Sequence, residues 1–350
     1  MSIKSNNLSM RVAIYNPYLD TLGGGERYSI AFAKVLLDLG YTVNFQWVSP
    51  QIKEKLENRF GINLDGVEFV KDIKRGDGYE ICFWVSDGSI PTLRARRNFL
   101  HFQYPFKDVG GKTLLNRMKF FRINKTICNS FFTKKFVDRE YGIESIVIYP
   151  AIDTYNFKPR KKENVILYVG RFSELTQLKN QDLLIEVFKK YYSRSFKGWK
   201  LVLAGGTEIG STQYLKKLTK LSVNFPIEIV EKPSFKKLIS LYGRAKIFWS
   251  ASGYGVDEEK DSIKVEHFGI SVVEAMAAGA VPIITDAGGH KEIIKNSVNG
   301  YLWKSKNELV KFTTKIIEDR KLFAELSINS RKASNIYSYE NFRKKVESII

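Results

Sequence analysis

Cysteine and histidine are nearly absent from this sequence, with two and three among 350 residues. Cys82 and Cys128 cannot build a disulfide framework or a cysteine-rich zinc site. With only His101, His267 and His290, a histidine-based metal centre is not expected either. No long apolar run is present. The longest weakly charged stretch, 269–284, contains Glu274 and falls short of the about 20 residues a membrane-crossing helix needs. The first ten residues, MSIKSNNLSM, lack the apolar core of a secretory leader. The chain is therefore expected in the cytoplasm, with contact to the inner face of a membrane left open. Acidic residues are outnumbered 37 to 56, a net charge of +19. That balance favours anionic partners: nucleic acid, an anionic membrane surface or phosphorylated substrates.

What is present is an ordinary globular composition, 44% hydrophobic and 27% charged, at a length suited to two domains. Short apolar runs alternate with amphipathic stretches, the pattern of parallel α/β layers. In the first half strands are expected at 11–15, 42–47, 79–85, 98–102, 126–128 and 145–148, with helical stretches such as 26–39 and 131–141 between them. The segment YPAIDTYNFKPRKK, 149–162, has two prolines and a basic run and reads as a linker. A second series follows, with strands at 165–169, 200–204, 227–230, 245–249, 281–285 and 300–303. The expected fold class is α/β: two Rossmann-like domains, 1–152 and 153–336, facing across a cleft. A closing helix at 337–350 is expected to pack back on the first.

Four loops stand out. Gly23-Gly24-Gly25-Glu26 follows the first strand at a helix start, where glycine amides and the helix dipole can approach an anion. It lacks the G-x-G-x-x-G dinucleotide spacing, and a plain tight turn explains it equally well. Gly170-Arg171, followed by Lys179-Asn180, sets two cations at the mouth of the second domain. Arg offers a planar fork and Lys a point charge to a diphosphate, though nearby cations usually mark a solvated loop. The most specific string is EHFGISVVEAMAAG, 266–279. Glu266 and Glu274 stand eight residues apart across a helix start, and Phe268-Gly269-Ile270 supplies free amides. Glu274 lies among alanines, where a carboxylate needs hydrogen-bond donors such as sugar hydroxyls. Gly110-Gly111-Lys112-Thr113 imitates the end of a Walker loop, but the required first glycine falls on Phe106. It reads as a basic loop entering a helix.

Together these residues resemble the family 4 retaining glycosyltransferases of the GT-B fold. The marks are Glu-x7-Glu between Glu266 and Glu274, GGGE in the first loop, GR and KN opening the second domain, and GG-x-x-E at 288–292. Within that family, NPYLDTLGGGER and EHFGISVVEAMAAG look most like the GDP-mannose-dependent α-1,2-mannosyltransferases of lipid-linked oligosaccharide assembly. Two loops, 250–265 and the stretch between Arg171 and Lys179, are longer than the family's usual pattern. The resemblance implies a nucleotide-sugar co-substrate, GDP-mannose before a UDP-sugar, and no cofactor or metal. It implies that Arg171 and Lys179 bind the donor diphosphate and that Glu274 holds the ribose. Glu266 then contacts the transferred sugar near the reaction centre. Amides at Phe268, Gly269 and Ile270 hold phosphate or sugar, Gly24 and Gly25 approach the diphosphate, and His101 faces the donor sugar. A satisfied strand-end histidine is the bland alternative for His101, and His267 and His290 receive no chemistry.

The acceptor side implied is the first domain. From Arg94 to Lys135 there are eleven Lys/Arg and one acid, Asp108, interleaved with aromatics including Phe99, Phe102, Phe120, Phe121, Phe131 and Phe132. Cations beside rings fit an interface with anionic lipid, while some of these rings can equally be core. A glycan or lipid-linked acceptor at an anionic membrane surface follows. A nucleic-acid-binding protein accounts for the charge but not for Glu266 and Glu274, so nucleic acid is not an expected partner. A sugar-nucleotide epimerase on the same scaffold is the other rival, separable by whether an acceptor is needed.

Overall fold

The computed structural model describes residues 10–173, 177–207 and 210–350. The polar start of the chain and the middle of the loop between Arg171 and Lys179, both discussed above, lie outside the described residues. The chain divides into two compact units. One runs to Ala151 and also takes Glu340–Ile350; the other is Ile152–Tyr339.

The first unit is built on seven strands: β1 (Arg11–Tyr15), β2 (Thr42–Gln46), β3 (Val67–Val70), β4 (Ile81–Val85), β5 (Arg97–Phe102), β6 (Lys125–Cys128) and β7 (Ile146–Val147). They form one sheet in the order β3-β2-β1-β4-β5-β6-β7, with every pairing parallel. The order reverses beside β1, the switch point of a doubly wound sheet. Apolar runs such as Val12-Ala13-Ile14 are buried on both faces because helices cover the sheet. Helices α1 (Gly24–Asp38), α2 (Ile52–Phe60), α3 (Leu114–Phe120) and α4 (Phe131–Tyr141) belong here. The sequence reading passed over β3. Its four residues form a half-exposed sheet edge between charged turns, too short to show a period.

The second unit repeats the plan with six strands: β8 (Glu163–Val169), β9 (Lys200–Gly205), β10 (Ile227–Glu231), β11 (Ala245–Ser250), β12 (Val281–Thr285) and β13 (Tyr301–Trp303). Their order is β10-β9-β8-β11-β12-β13, again all parallel. Its helices are α5 (Gln181–Tyr191), α6 (Thr212–Ser222), α7 (Phe235–Arg244), α8 (Ile270–Ala277), α9 (His290–Ile293), α10 (Lys306–Glu318) and α11 (Arg320–Ser334). Trp249 and Trp303 anchor the core, and the Trp249 indole N–H donates to Thr313 Oγ1 at 3.0 Å. A final helix, α12 (Tyr339–Glu347), brings Phe342 edge-on to Tyr28 of α1, with centroids 5.2 Å apart.

The decoy loop 110–113 enters α3, with Thr113 Oγ1 accepting the Asn116 amide at 3.3 Å. Asp108, Val109 and Gly111 donate to the Glu140 carboxylate at 3.0, 3.1 and 2.9 Å. The two cysteines are buried and free, and burial pushes both thiols up to about 12.

Lys162 is an unusual core contributor. Its ammonium donates to Ala245 O and Ala278 O, both at 2.7 Å, tying the start of β11 to the end of α8. Burial, then Arg331 nearby, pulls its pKa down to about 7. The unfolded lysine stays protonated to about 10.4. Between those values the unfolded chain binds more protons, so this group's contribution to stability rises with pH. Urea midpoints of wild type and Lys162→Met at pH 6.5 and pH 9.5 check this: wild type should gain on the variant toward high pH. Parallel behaviour would show that Lys162 does not titrate in that window.

Candidate functional site

The candidate site forms where the second sheet changes direction, at the carboxyl ends of β8 and β11. The chain leaving β8 needs its glycines for packing. A Cβ on Gly205 would lie 1.9 Å from Gly170 O, and one on Gly170 would lie 2.3 Å from Tyr168 Oη. Backbone bonds then lock the two strand ends, Gly170 N–H to Ala204 O at 3.0 Å and Phe172 N–H to Gly206 O at 2.9 Å. Arg171 leaves this junction, its carbonyl held by Gln181 Nε2 at 2.8 Å.

Lys179 is positioned by the loop after β11. Leu178 N–H donates to Lys264 O at 3.1 Å, Gly253 N–H donates to Leu178 O at 2.9 Å, and Asn180 Nδ2 donates to Ala251 O at 2.9 Å. Asn180 adopts a left-handed φ of +50°, which its short polar side chain tolerates. The Lys179 ammonium donates to Glu266 Oε2 at 2.6 Å and to Gln177 Oε1 at 2.7 Å. The two charged side chains are only 10% and 17% exposed. An ammonium has three donors, so one N–H has no partner among the described residues. Burial works to raise the Glu266 pKa. The charge of Lys179, followed by His290, the Lys179 hydrogen bond and His267, outweighs it and holds the carboxyl at about 2.

His290 is the residue the sequence reading missed. Its Nδ1 faces two oxygens of one residue, Thr285 O at 3.1 Å and Thr285 Oγ1 at 3.2 Å. The Thr285 hydroxyl already donates to Ser252 O at 2.6 Å. Nδ1 must therefore carry the proton, which fixes the tautomer. Burial pulls the ring down to about 4 against the charge of Glu266, so it is neutral at pH 7. The available signal was the Gly-Gly pair in front of it. A Cβ at Gly288 would stand 2.2 Å from Glu266 O, and one at Gly289 would stand 2.4 Å from His267 O. Only glycines let this loop lie on the backbone of 266–267, where Gly289 N–H donates to Glu266 O at 2.8 Å. The long loop after β11 adds a strut: Glu258 accepts the Gly288 amide at 2.9 Å and pairs with Lys291.

Helix α8 starts directly below Glu266. Gly269 has φ +119°, and its carbonyl accepts the amides of Val272 and Val273. The first amides of the helix, at Ile270 and Ser271, have no preceding turn to bond to. Phe268 is buried against Tyr337, and Glu274 is buried in the α8 face, 7% exposed. Thus Lys179 and Glu266 pair at the strand ends with the start of α8 at Gly269 and Ile270 next in the chain, Arg171 and Glu266 both act on the buried Tyr168, and Glu274 lies further along α8.

The first unit holds the remaining predicted residues. The loop after β1 is shaped by Asn16, whose Oδ1 accepts the Tyr18 amide at 2.9 Å. Glu26 folds back over the glycine loop, accepting Gly23 N–H at 2.6 Å and Thr21 Oγ1–H at 2.9 Å. One amide of that loop is therefore already spent on an internal carboxylate. Gly25 is required for another reason: a Cβ there would sit 1.6 Å from Gln103 Oε1. Gln103 is buried, and its Nε2 has no hydrogen-bond partner among the described residues. His101 is corrected by the structure. It is fully buried in β5, stacked on Tyr28 at 4.0 Å and on Phe83 at 5.4 Å, and burial pulls its pKa down to about 3. A ring without exposed surface cannot face a donor sugar. The aromatic layer of the sheet claimed it. The backbone of Ile127, its neighbour on β6, is the polar group that partly offsets that burial.

Among the described residues, no group of three or more His, Cys, Asp or Glu is placed to hold a metal ion, and no helix is long and apolar enough to cross a membrane.

Residues 152–333, just over half the chain, match the family described as glycosyl transferases group 1. The chain belongs to that family. This glycosyltransferase is 26% identical over 221 residues to a GDP-Man:Man(3)GlcNAc(2)-PP-Dol alpha-1,2-mannosyltransferase of Dictyostelium discoideum, covering 58% of the chain and 41% of the relative. An uncharacterized glycosyltransferase of Methanocaldococcus jannaschii is 31% identical over 193 residues, 53% of the chain and 44% of the relative. The chain thus spans less than half the length of these two. One of Haemophilus influenzae is 24% identical over 97% of the chain and 99% of the relative. Among solved structures, Anabaena Alr3699/HepE in complex with UDP and glucose superposes with TM-score 0.74 at 17% identity, covering 97% and 98% of the two chains. The sucrose-phosphate synthase of Thermosynechococcus elongatus gives 0.72 at 15%, with the same coverage. These structures place the glycosyltransferase in the GT-B fold, two Rossmann-like domains.

The ion pair makes a testable demand. Lys179→Met leaves Glu266 part-buried without its cation, and its pKa should climb above the ordinary carboxylate value near 4.3. In wild type this carboxylate's contribution is present above the unfolded value and is lost as pH falls toward about 2. In the variant the sign reverses, and stability should fall as pH rises from 4 to 7. At pH 7 the loss should be about 2 kcal/mol, read from urea unfolding. An unchanged pH profile would show that the pair is not coupled.

Proposed function

We propose that this protein is a family 4 retaining glycosyltransferase that moves a hexose, mannose before others, from a nucleoside-diphosphate sugar to a lipid-linked or glycan acceptor at a membrane surface. The observation that carries the reading is the Lys179–Glu266 pair at the switch point of the second sheet. Departure of a nucleoside diphosphate develops negative charge. The spare N–H of Lys179, the guanidinium of Arg171 and the amides from Phe268 to Ile270 meet that charge without rearranging, which is electrostatic preorganisation. Two cations and a helix start supply what the leaving group needs, so the proposal calls for no metal.

Glu266 cannot act as an acid, because a carboxyl held at about 2 carries no proton at pH 7. Its part is to accept hydrogen bonds from the transferred sugar and to offset positive charge at the anomeric carbon. It must share Lys179 with the phosphate, and the spare N–H allows that. Glu274 accepts the ribose hydroxyls. Gly24 and Gly25 are assigned to the diphosphate, with Glu26 leaving fewer open amides there than the glycine count suggests. Retention follows from front-face attack: the acceptor hydroxyl bonds the anomeric carbon as the C–O bond to the diphosphate breaks, and the acceptor's proton passes to the departing phosphate.

The sugar and base are read from relatives. The names of the Dictyostelium discoideum and Komagataeibacter xylinus relatives carry GDP-mannose as donor, and both carry diphosphate-linked lipid acceptors. The Anabaena structure holds UDP and glucose. Arg171, Lys179 and Glu274 recognise parts common to both donors, so the base must be tested directly. A thermal-shift panel of GDP, UDP, ADP and their sugars does so. A ligand at 100 times its Kd stabilises by about 2.7 kcal/mol. GDP-mannose should raise the melting temperature and UDP-sugars should not; the opposite pattern would replace mannose in the proposal.

Substitution tests the roles. Lys179→Ala and Glu274→Ala should each lower transfer at least about 100-fold with the far-ultraviolet circular dichroism unchanged. Near-wild-type turnover in either would remove that residue from the site.

A further inference from the structure

One helix of the first unit is built inside out. Helix α3 has no buried residue. Leu114, Met118 and Phe121, just beyond its end, follow the i, i+4, i+7 spacing that normally faces a core. Here they face solvent: Leu114 is 75% exposed, Met118 59% and Phe121 90%. Leu115 beside them is 61% exposed. The opposite side does the anchoring. Phe120 packs edge-on to Tyr141 with centroids 6.0 Å apart, and Asn116 Nδ2 donates to Gly110 O and Gly111 O at 3.3 and 3.2 Å. The orientation is thus held by the fold, and the apolar stripe is presented outward.

The same stretch of sequence is rich in cations. Lys107, Lys112, Arg117, Lys119, Arg122 and Lys125 lie within nineteen residues of sequence that hold a single acid, Asp108, and Lys107 lies 3.8 Å from it. An exposed apolar stripe on a strongly basic segment is complementary to a surface that is oily within and negatively charged outside. That is the chemistry of an anionic bilayer: side chains enter the acyl boundary while Lys and Arg reach headgroup phosphates.

We propose that α3 with Phe121 is a membrane-docking helix that lies in the plane of an anionic lipid surface. Leu114, Leu115, Met118 and Phe121 insert, and the surrounding cations select negative headgroups. This deepens the membrane-facing part of the proposed function and rests on it only for the acceptor's location; the docking itself rests on the exposed stripe and its charge.

The test uses the full chain with vesicles of phosphatidylcholine alone and with 30% phosphatidylglycerol. Wild type should sediment with the anionic vesicles at low salt, not with the neutral ones, and should be at least 10-fold weaker in 0.5 M salt. Leu114→Ser/Met118→Ser/Phe121→Ser should bind the anionic vesicles at least 10-fold more weakly. Because these side chains touch no core, its melting temperature and the shift produced by nucleotide sugars should match wild type. That second readout separates failure of docking from failure of the donor site. Equal binding of variant and wild type, or no binding by wild type, would overturn the proposal. So would a dimer in sedimentation velocity that the variant converts to monomer without lipid, because the stripe would then belong to a second copy.

Discussion

A cation and a carboxylate held 2.6 Å apart at the end of a parallel sheet are the constraint on which the loops of the second unit depend. Neither is cheap to place there. A part-buried ammonium or carboxylate alone is penalised, and each is tolerable because the other is present. The surrounding backbone is arranged around that requirement. Gly170 and Gly205 let two strand ends touch, Gly288 and Gly289 let a loop lie on the backbone of Glu266, and Asn180 turns through a left-handed conformation to deliver Lys179. A neutral His290, its tautomer fixed by Thr285, closes the back without adding charge.

In the proposed reaction the same pair gives an ionised acid its place: a carboxylate held at about 2 is a permanent acceptor for the hydroxyls of a donor sugar. The third N–H of Lys179 is proposed to reach the phosphate, so that one ammonium would couple binding to leaving-group stabilisation. The first unit carries a different emphasis. Its glycine loop is partly satisfied by Glu26, and its most distinctive surface is the outward stripe of α3 on a cation-rich segment.

Much of the architecture could be read from the residues, because parallel strands buried on both faces announce themselves as apolar runs. Strand β1 at Arg11–Tyr15, strand β12 at Val281–Thr285 and helix α4 at Phe131–Tyr141 fall on the residues expected. Edge strand β3 did not show, since half-exposed four-residue strands have neither a run nor a period. The carboxylate and cation positions were legible from their spacing. Their pairing was not, because Lys179 and Glu266 are 87 residues apart in the chain.

What the sequence determined by itself was the inventory: two α/β halves, two loops with cations and glycines, two glutamates around a helix start, and an excess of positive charge. Those follow from local composition and periodicity, which need no knowledge of neighbours. The tertiary structure decided what each of them meets. It buried His101 between Tyr28 and Phe83, gave His290 a fixed tautomer, and sorted the rings of the basic stretch into a core set, such as Phe99 and Phe102, and an outward one at Phe121. The reason is physical. Exposure, pairing and protonation depend on what lies across the sheet or against the loop, and those neighbours come from distant parts of the chain.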